Sequence, residues 1–284
     1  MAVEHRTYPT ETERTSFGVR LIQKINVRRF LIAYFVLAAI YIYLPIFSVV
    51  VFSFNTGGVT PPYTGFTTHW YEELFASATM RAAISRSIQL ALVVTVITTV
   101  MATATALAYR YDFFGQRALL YLIVLGIITP GITYSVGSVL FLGEVLGLSR
   151  NLWLAVPVHV VWTLPFAFIV LLAGFPPNLS QNEQAARVMG ASNLTTFREI
   201  ILPQITPTVL GAAVFAFTLS YNEAERGLLL VGQDNTMPIQ VFAVAAGQRA
   251  SPDLFALGGV TTILSTVLLI VAGYLVLYNM RRTS

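Results

Sequence analysis

Cysteine is absent from the sequence, which excludes disulfide bridges, thiolate metal sites and cysteine nucleophiles together. Lysine occurs once, at Lys24, with no Gly-x-x-x-x-Gly-Lys run around it. A phosphate-cradling P-loop needs both, so any ATP that drives this chain is bound by another subunit. The three histidines, His5, His69 and His159, are too scattered for metal-ligand spacing, and no metal or other cofactor is expected in this chain. Neither His-Glu-x-x-His nor Gly-x-Ser-x-Gly occurs, and the acids form no obvious catalytic pair, so no catalytic residues are assigned and an intramembrane enzyme is disfavoured. Charge itself is scarce: 11% of the 284 residues are Asp, Glu, Lys or Arg, 56% are hydrophobic, and the mean hydropathy is +0.71. Soluble domains do not show that balance. The chain therefore reads as an all-α integral membrane protein. Its net charge of +4 is no signal for nucleic acid, because the basic residues sit beside apolar runs and report orientation.

About six apolar runs are present. A polar tail, 1–29, precedes a first span from Phe30 to about Phe54. That run exceeds the ~7–15 residues of a cleavable signal core and reads as a retained span, kinked near its outer end by Pro45. Residues 55–86, with Gly57-Gly58 and Pro61-Pro62, form an external loop. Within it His69 to Phe75 makes a short helix that either lies in the interface or packs on the membrane domain. The second span is Ser87–Tyr109 and the third runs from Ala118 to about Leu142, interrupted by Pro130-Gly131 and Gly137. Broken helices are tolerated where they face protein or a watery cavity, so the third span belongs inside the bundle. The fourth, Asn151–Gly174, carries His159, whose ring either is satisfied by a neighbouring helix or serves a ligand or proton role. The fifth spans Thr206 to about Leu230 and the sixth Leu254 to Tyr278.

Orientation follows from the basic residues. With the N-terminus inside, the inner segments hold twelve of the 17: Arg6, Arg14, Arg20, Lys24, Arg28, Arg29, Arg110, Arg117, Arg187, Arg198, Arg281 and Arg282. The outer segments hold five, Arg81, Arg86, Arg150, Arg226 and Arg249. Positive charge favours the cytoplasmic side, so both termini and the loop at 175–205 are expected there.

That loop, containing NEQAARVMGASNLTTFREIILP from Asn182 to Pro203, is polar between two apolar spans. Ala185, Ala186 and Met189 share one helical face, Gly190 permits a sharp turn, and Asn193 caps a second helix before Phe197, Ile200 and Ile201. Pro203 and Pro207 mark the entrance to the fifth span. Gln184-Ala185-Ala186, then Gly190, then Ile200 and Leu202-Pro203 resemble the EAA loop of permease subunits in binding-protein-dependent ABC importers. The resemblance implies a type I importer permease fold of about six transmembrane helices, a membrane domain over 30–284 (core 87–279), and a cytoplasmic coupling helix in the loop at 175–205. It assigns contact with an ATPase to Glu183, Gln184, Ala185, Ala186, Met189, Gly190, Ala191, Ile200, Leu202 and Pro203. Where the family has its Glu, this sequence has Gln184, with Glu183 just before it.

Three charged residues fall in the fifth span as read: Glu223, Glu225 and Arg226, within LSYNEAERG. At ~1.5 Å per residue Glu223 lies roughly 25 Å along that helix. It either pairs with Arg226, one turn away, or lines the solute path. Tyr221, Asn222, Glu223 and Pro130 are the candidate path residues. Thr218-Leu219-Ser220, Met237-Pro238-Ile239, Ser251-Pro252-Asp253 and Ala256-Leu257 are similar to stretches of spermidine and putrescine permeases. Permeases for ferric iron, opines, phosphonates and sugars share much of this pattern. The resemblance implies transport of a small solute across the inner membrane, with an ATPase dimer that binds ATP and Mg, a second homologous permease, an extracytoplasmic solute-binding protein and surrounding lipid as partners. An ion-driven secondary transporter would share broken helices and buried charge, but would not need the Gly190-to-Pro203 pattern.

Overall fold

The computed structural model describes residues 27–57, 62–247 and 252–283. The basic tail from Arg6 to Lys24, together with Gly58, Pro61, Arg249 and Ser251, lies outside them, as do the side chains of Arg281 and Arg282. The helices are α1 (Val27–Phe52), α2 (His69–Ala76), α3 (Ala78–Ala108), α4 (Gln116–Ile128), α5 (Gly131–Val145), α6 (Leu152–Gly174), α7 (Leu179–Val188), α8 (Asn193–Tyr221), α9 (Met237–Gly247) and α10 (Pro252–Thr283). Among the described residues no strand forms. Among the same residues five helices are long and apolar enough to cross a membrane, or six spans if the bent pair α4–α5 counts as one.

The chain divides into two compact units, 1–48 and 49–284. In the first, α1 is apolar on all sides from Phe30 onward, and the Ser48 hydroxyl donates back to the Leu44 carbonyl at 2.8 Å. In the second, α3, α6 and α8 pack mutually as the central trio, with α4 against α6 and α10 against α8.

What buries a face here is small size, because hydropathy is the same all round. On α3 the buried positions are Ala83, Ser87, Leu90, Ala91, Val94, Thr98, Ala102 and Ala106, whereas Leu92, Val96, Val100 and Met101 are exposed. Lipid offers large apolar side chains as good a solvent as the protein does, so small residues take the helix contacts and let backbones approach. Ala167 on α6 and Ala212 and Ala216 on α8 complete the pattern, each fully buried. Gly126 shows the requirement most sharply, since a Cβ there would lie 2.8 Å from the Val161 carbonyl oxygen on α6. One buried polar pair joins α3 to α6: the Thr98 and Thr163 hydroxyls are 2.7 Å apart.

Several boundaries differ from the sequence reading. Helix α3 begins at Ala78 rather than Ser87, started by the Ser77 hydroxyl accepting the Met80 N–H at 3.4 Å. Helix α8 begins thirteen residues before Thr206 and passes through both Pro203 and Pro207. A π-turn at Thr196–Ile201 precedes Pro203 and accommodates the loss of regular pairing there. Its cap is Ser192, not Asn193, with Ser192 Oγ accepting the Thr195 N–H at 3.2 Å. The helix ends at Tyr221, not near Leu230, so Glu223, Glu225 and Arg226 lie beyond it. The Glu223 carboxylate takes the Arg226 backbone N–H at 3.1 Å, a local bond that competes with continuing the helix. The third span is broken where expected, at Thr129-Pro130, with a 104° bend, while Gly137 lies inside α5 without a break. Of the two placements expected for the short helix from His69, α2 takes the packed one. Its Leu74 is buried with Met237, Ala256 and Leu257, and Trp70 Nε1 donates to the Asn55 carbonyl at 3.0 Å.

Candidate functional site

Two polar constellations stand out, one at each end of α8. The first is built on α7. Leu179, Glu183 and Ala186, spaced i, i+4 and i+7, are buried. Leu179 packs with Ile201 and Ile205 of α8. Gly190 closes the helix with φ +85°, its N–H bonded to the Arg187 carbonyl and that of Ala191 to the Ala186 carbonyl, each at 3.0 Å. This C-terminal motif needs a left-handed residue, for which glycine pays no side-chain penalty.

The expected face of Ala185, Ala186 and Met189 is split. Ala186 is turned inward, while Gln184 and Ala185 are exposed together with Val188 (88% exposed) and Met189 (81%). Ala191 is half-buried, and Ile200, Leu202 and Pro203 belong to the opening turns of α8, Ile200 half-buried and the other two exposed. Val188 and the exposed Leu194 extend the apolar surface; the i, i+4 relation of Val188 to Gln184 is visible in the sequence, but not that this is the outer face.

Glu183 is the centre of the inner face. Its Oε2 accepts from Arg110 Nη2 at 2.9 Å, and its Oε1 from the Tyr111 hydroxyl at 2.6 Å and Arg187 Nη2 at 2.8 Å. Arg110 Nη2 also donates to Ser180 Oγ at 3.0 Å. Burial pushes the Glu183 carboxyl up, but the Tyr111 hydroxyl and the two guanidinium groups outweigh it and hold the carboxyl below its ordinary value. The Tyr111 phenol is raised, first by its bond to this carboxylate and then by burial. Arg110 and Tyr111 lie in the turn between α3 and α4, more than seventy residues from Glu183, and no sequence signal pairs them with it.

The second constellation follows Tyr221. Arg226 Nη1 binds Glu223 Oε2 at 2.9 Å, Nη2 donates to the Thr129 carbonyl at 3.1 Å, and the guanidinium lies over the Trp162 ring at 3.6 Å from its centroid. Both charged residues are 8% exposed. Arg226 thereby meets the carbonyl left over at the α4–α5 break. Glu225 is exposed and stands over Gly131, where a Cβ would lie 2.5 Å from its Oε2. Of the remaining path candidates, Tyr221 is buried, Asn222 is exposed and accepts from Ser265 Oγ at 3.2 Å, and Pro130 is exposed at the bend. His159 Nδ1 is 3.0 Å from Ser220 Oγ on α8, so a neighbouring helix does satisfy one side of its ring. Trp162 and the Thr129 carbonyl were not legible as partners. A cavity of about 460 Å³ adjoins the break, lined among others by Thr129, Thr133, Tyr134, Ser138 and Pro157.

Residues 99–283 match the family described as binding-protein-dependent transport system inner membrane component. The chain is 30% identical to the spermidine/putrescine transport system permease protein PotC of Haemophilus influenzae, over 82% of this chain and 90% of that one. It is 26% identical to the putrescine transport system permease protein PotI of Escherichia coli, over 85% and 87%. In fold it resembles a bacterial ABC transporter involved in the import of the acidic polysaccharide alginate, with TM-score 0.64 and 18% identity, covering 93% of this chain and all of that one.

Proposed function

The chain belongs to the family of inner membrane components of binding-protein-dependent transport systems and is the multi-pass permease subunit of an ABC importer, and from that premise we propose that its cargo is a polyamine such as spermidine or putrescine. The observation that carries this is the match to PotC and PotI over more than four-fifths of the chain. The acidic loop beside the α4–α5 break supports it, since the exposed carboxylate of Glu225 can offset some of a cation's lost hydration. The test is uptake of labelled spermidine and putrescine by the reconstituted transporter, with ferric iron, an opine, a phosphonate and a sugar as competitors. Uptake of one of these in place of polyamine overturns the assignment.

Within the importer, α7 is the coupling helix. Its exposed face of Gln184, Ala185, Val188 and Met189 docks on an ATPase, which holds the ATP and Mg and hydrolyses it. A second, homologous permease completes the pathway, two ATPase subunits lie beneath, and a solute-binding protein delivers cargo from outside. Val188→Asp and Met189→Asp place an unpaired charge in that contact and abolish co-purification of the ATPase while the bundle still inserts. Gly190→Asp costs roughly 1–2 kcal/mol of local backbone strain and re-aims α7. Normal association of all three variants removes α7 from the coupling role. Both termini and α7 face the cytoplasm. Because the chain has no cysteine, single cysteines at Gln184 and Gln233 report this directly: the first is labelled only from the cytoplasm and the second only from outside. Labelling of both from outside overturns the orientation.

A further inference from the structure

We propose that Glu183 is a positioning residue of the transport cycle: through Arg110 and Tyr111 it fastens α7 to the turn between α3 and α4, so that this turn and α4 follow α7 when the ATPase moves it. The proposal rests on the reading of α7 as the coupling helix.

Glu183 cannot be a docking residue itself. Its side chain is 6% exposed, and its two oxygens accept three hydrogen bonds from within the chain. The position whose acid the family resemblance would direct at an ATPase is held here by Gln184, on the exposed side. A buried carboxylate is also a poor way to gain stability, since desolvation offsets much of the attraction and a well-packed apolar side chain does as well. What the ion cluster adds is direction, because charge-assisted bonds hold one geometry where apolar contacts can slide. Without it, α7 is joined to the bundle by its chain connections to α6 and α8, by the apolar contact of Leu179 with Ile201 and Ile205, and by one neutral hydrogen bond, from Asn182 Nδ2 to Gln204 Oε1 at 2.9 Å; all of these lead to α6 or α8, and none to the turn before α4.

The tie leads somewhere. Gln116, the first residue of α4, donates through Nε2 to the Tyr109 carbonyl at 2.9 Å and so fixes the helix to the clamped turn. Helix α4 is 13 residues long, about 20 Å of rigid rod. Its far end is Thr129, whose carbonyl receives Arg226 at 3.1 Å. Displacement of α7 is therefore delivered to the broken span and to the loop that carries Glu223 and Glu225.

The test uses the complete transporter in proteoliposomes, with Glu183→Gln, Arg110→Gln, the double variant, Arg110→Lys and Tyr111→Phe. Three quantities are read: ATPase co-purifying with the permease, ATP hydrolysis, and solute taken up per ATP hydrolysed. Each Gln variant is expected to keep the ATPase bound and lower solute per ATP roughly tenfold, within the range by which residues remote from both sites alter coupling. The double variant is no worse than either single one, because both remove the same interaction. Arg110→Lys retains most of the coupling, and Tyr111→Phe loses the least. A merely structural role would lower the amount of assembled transporter and leave solute per ATP unchanged. Unchanged solute per ATP, additive effects in the double variant, or release of the ATPase by Glu183→Gln each overturn the proposal. Failure of the coupling reading shows separately, as normal ATPase association in Val188→Asp and Met189→Asp.

Discussion

Glu183 and Glu223 are both buried carboxylates paired with arginine, yet their clusters are built in opposite ways. At Glu183 the anion is the hub. It gathers Arg187 from its own helix and Arg110 and Tyr111 from a turn more than seventy residues away. At the other end of α8 the cation is the hub: Arg226 gathers Glu223, the Thr129 carbonyl and the Trp162 ring, while Glu223 touches nothing further away than Arg226 in the bonds described. The hub carries the tertiary information in each case. Its partner close in sequence supplies charge balance, and a shared feature follows: the charge at each hub is compensated locally and spent on holding a distant element.

The largest effect that would break this comparison is at Arg226. Arg226→Met strips Glu223 of its counter-ion in a buried setting and is expected to cost roughly 3–5 kcal/mol, read as a lower Tm of the purified protein. A Tm equal to that of the wild type would show that Arg226 is no hub. Next, Glu223→Gln leaves the guanidinium its ring and carbonyl contacts and is expected to cost less, roughly 1–3 kcal/mol. Glu225→Gln should leave Tm in place, because that carboxylate is exposed, but reduce polyamine uptake. Reduced uptake in Glu223→Gln with wild-type Tm, beside normal uptake in Glu225→Gln, would place the solute contact at Glu223 rather than at Glu225.

Trp162→Leu sharpens the same site at smaller cost. It keeps an apolar side chain but removes the π face under Arg226, for a loss of about 1 kcal/mol in Tm measurements. The smallest expected effect is a pH dependence at the other hub. The Glu183 carboxyl is lowered from an ordinary value of 4.5, so its contribution to stability is complete above that value and is lost as pH falls through the lower folded one. The drop in Tm below about pH 4.5 should therefore be shallower in Glu183→Gln than in the wild type, and identical profiles would remove Glu183 from the cluster's energetics.

Sequence alone determined the class of protein, the six apolar runs, the break at Pro130-Gly131 and the helix–glycine–helix outline of the loop at 175–205. These follow from composition and from single residues with distinctive backbone chemistry: a proline without a donor, and a glycine able to take a φ, here +85°, that other residues avoid. The resemblance to permeases rested on the same kind of local signal. Which face of a helix turns inward was another matter. Inside a membrane hydropathy does not distinguish core from surface, and on α7, outside it, Ala185 and Ala186 are the same residue type with only the packing of the helix to separate them; the extent of α8 at both ends depended on a π-turn and on the Glu223 carboxylate accepting the Arg226 N–H. Only the tertiary structure brought Arg110 and Tyr111 to Glu183 and Arg226 to Thr129 and Trp162. Contacts across such separations leave no periodicity in the chain, because their geometry is set by how the helices pack.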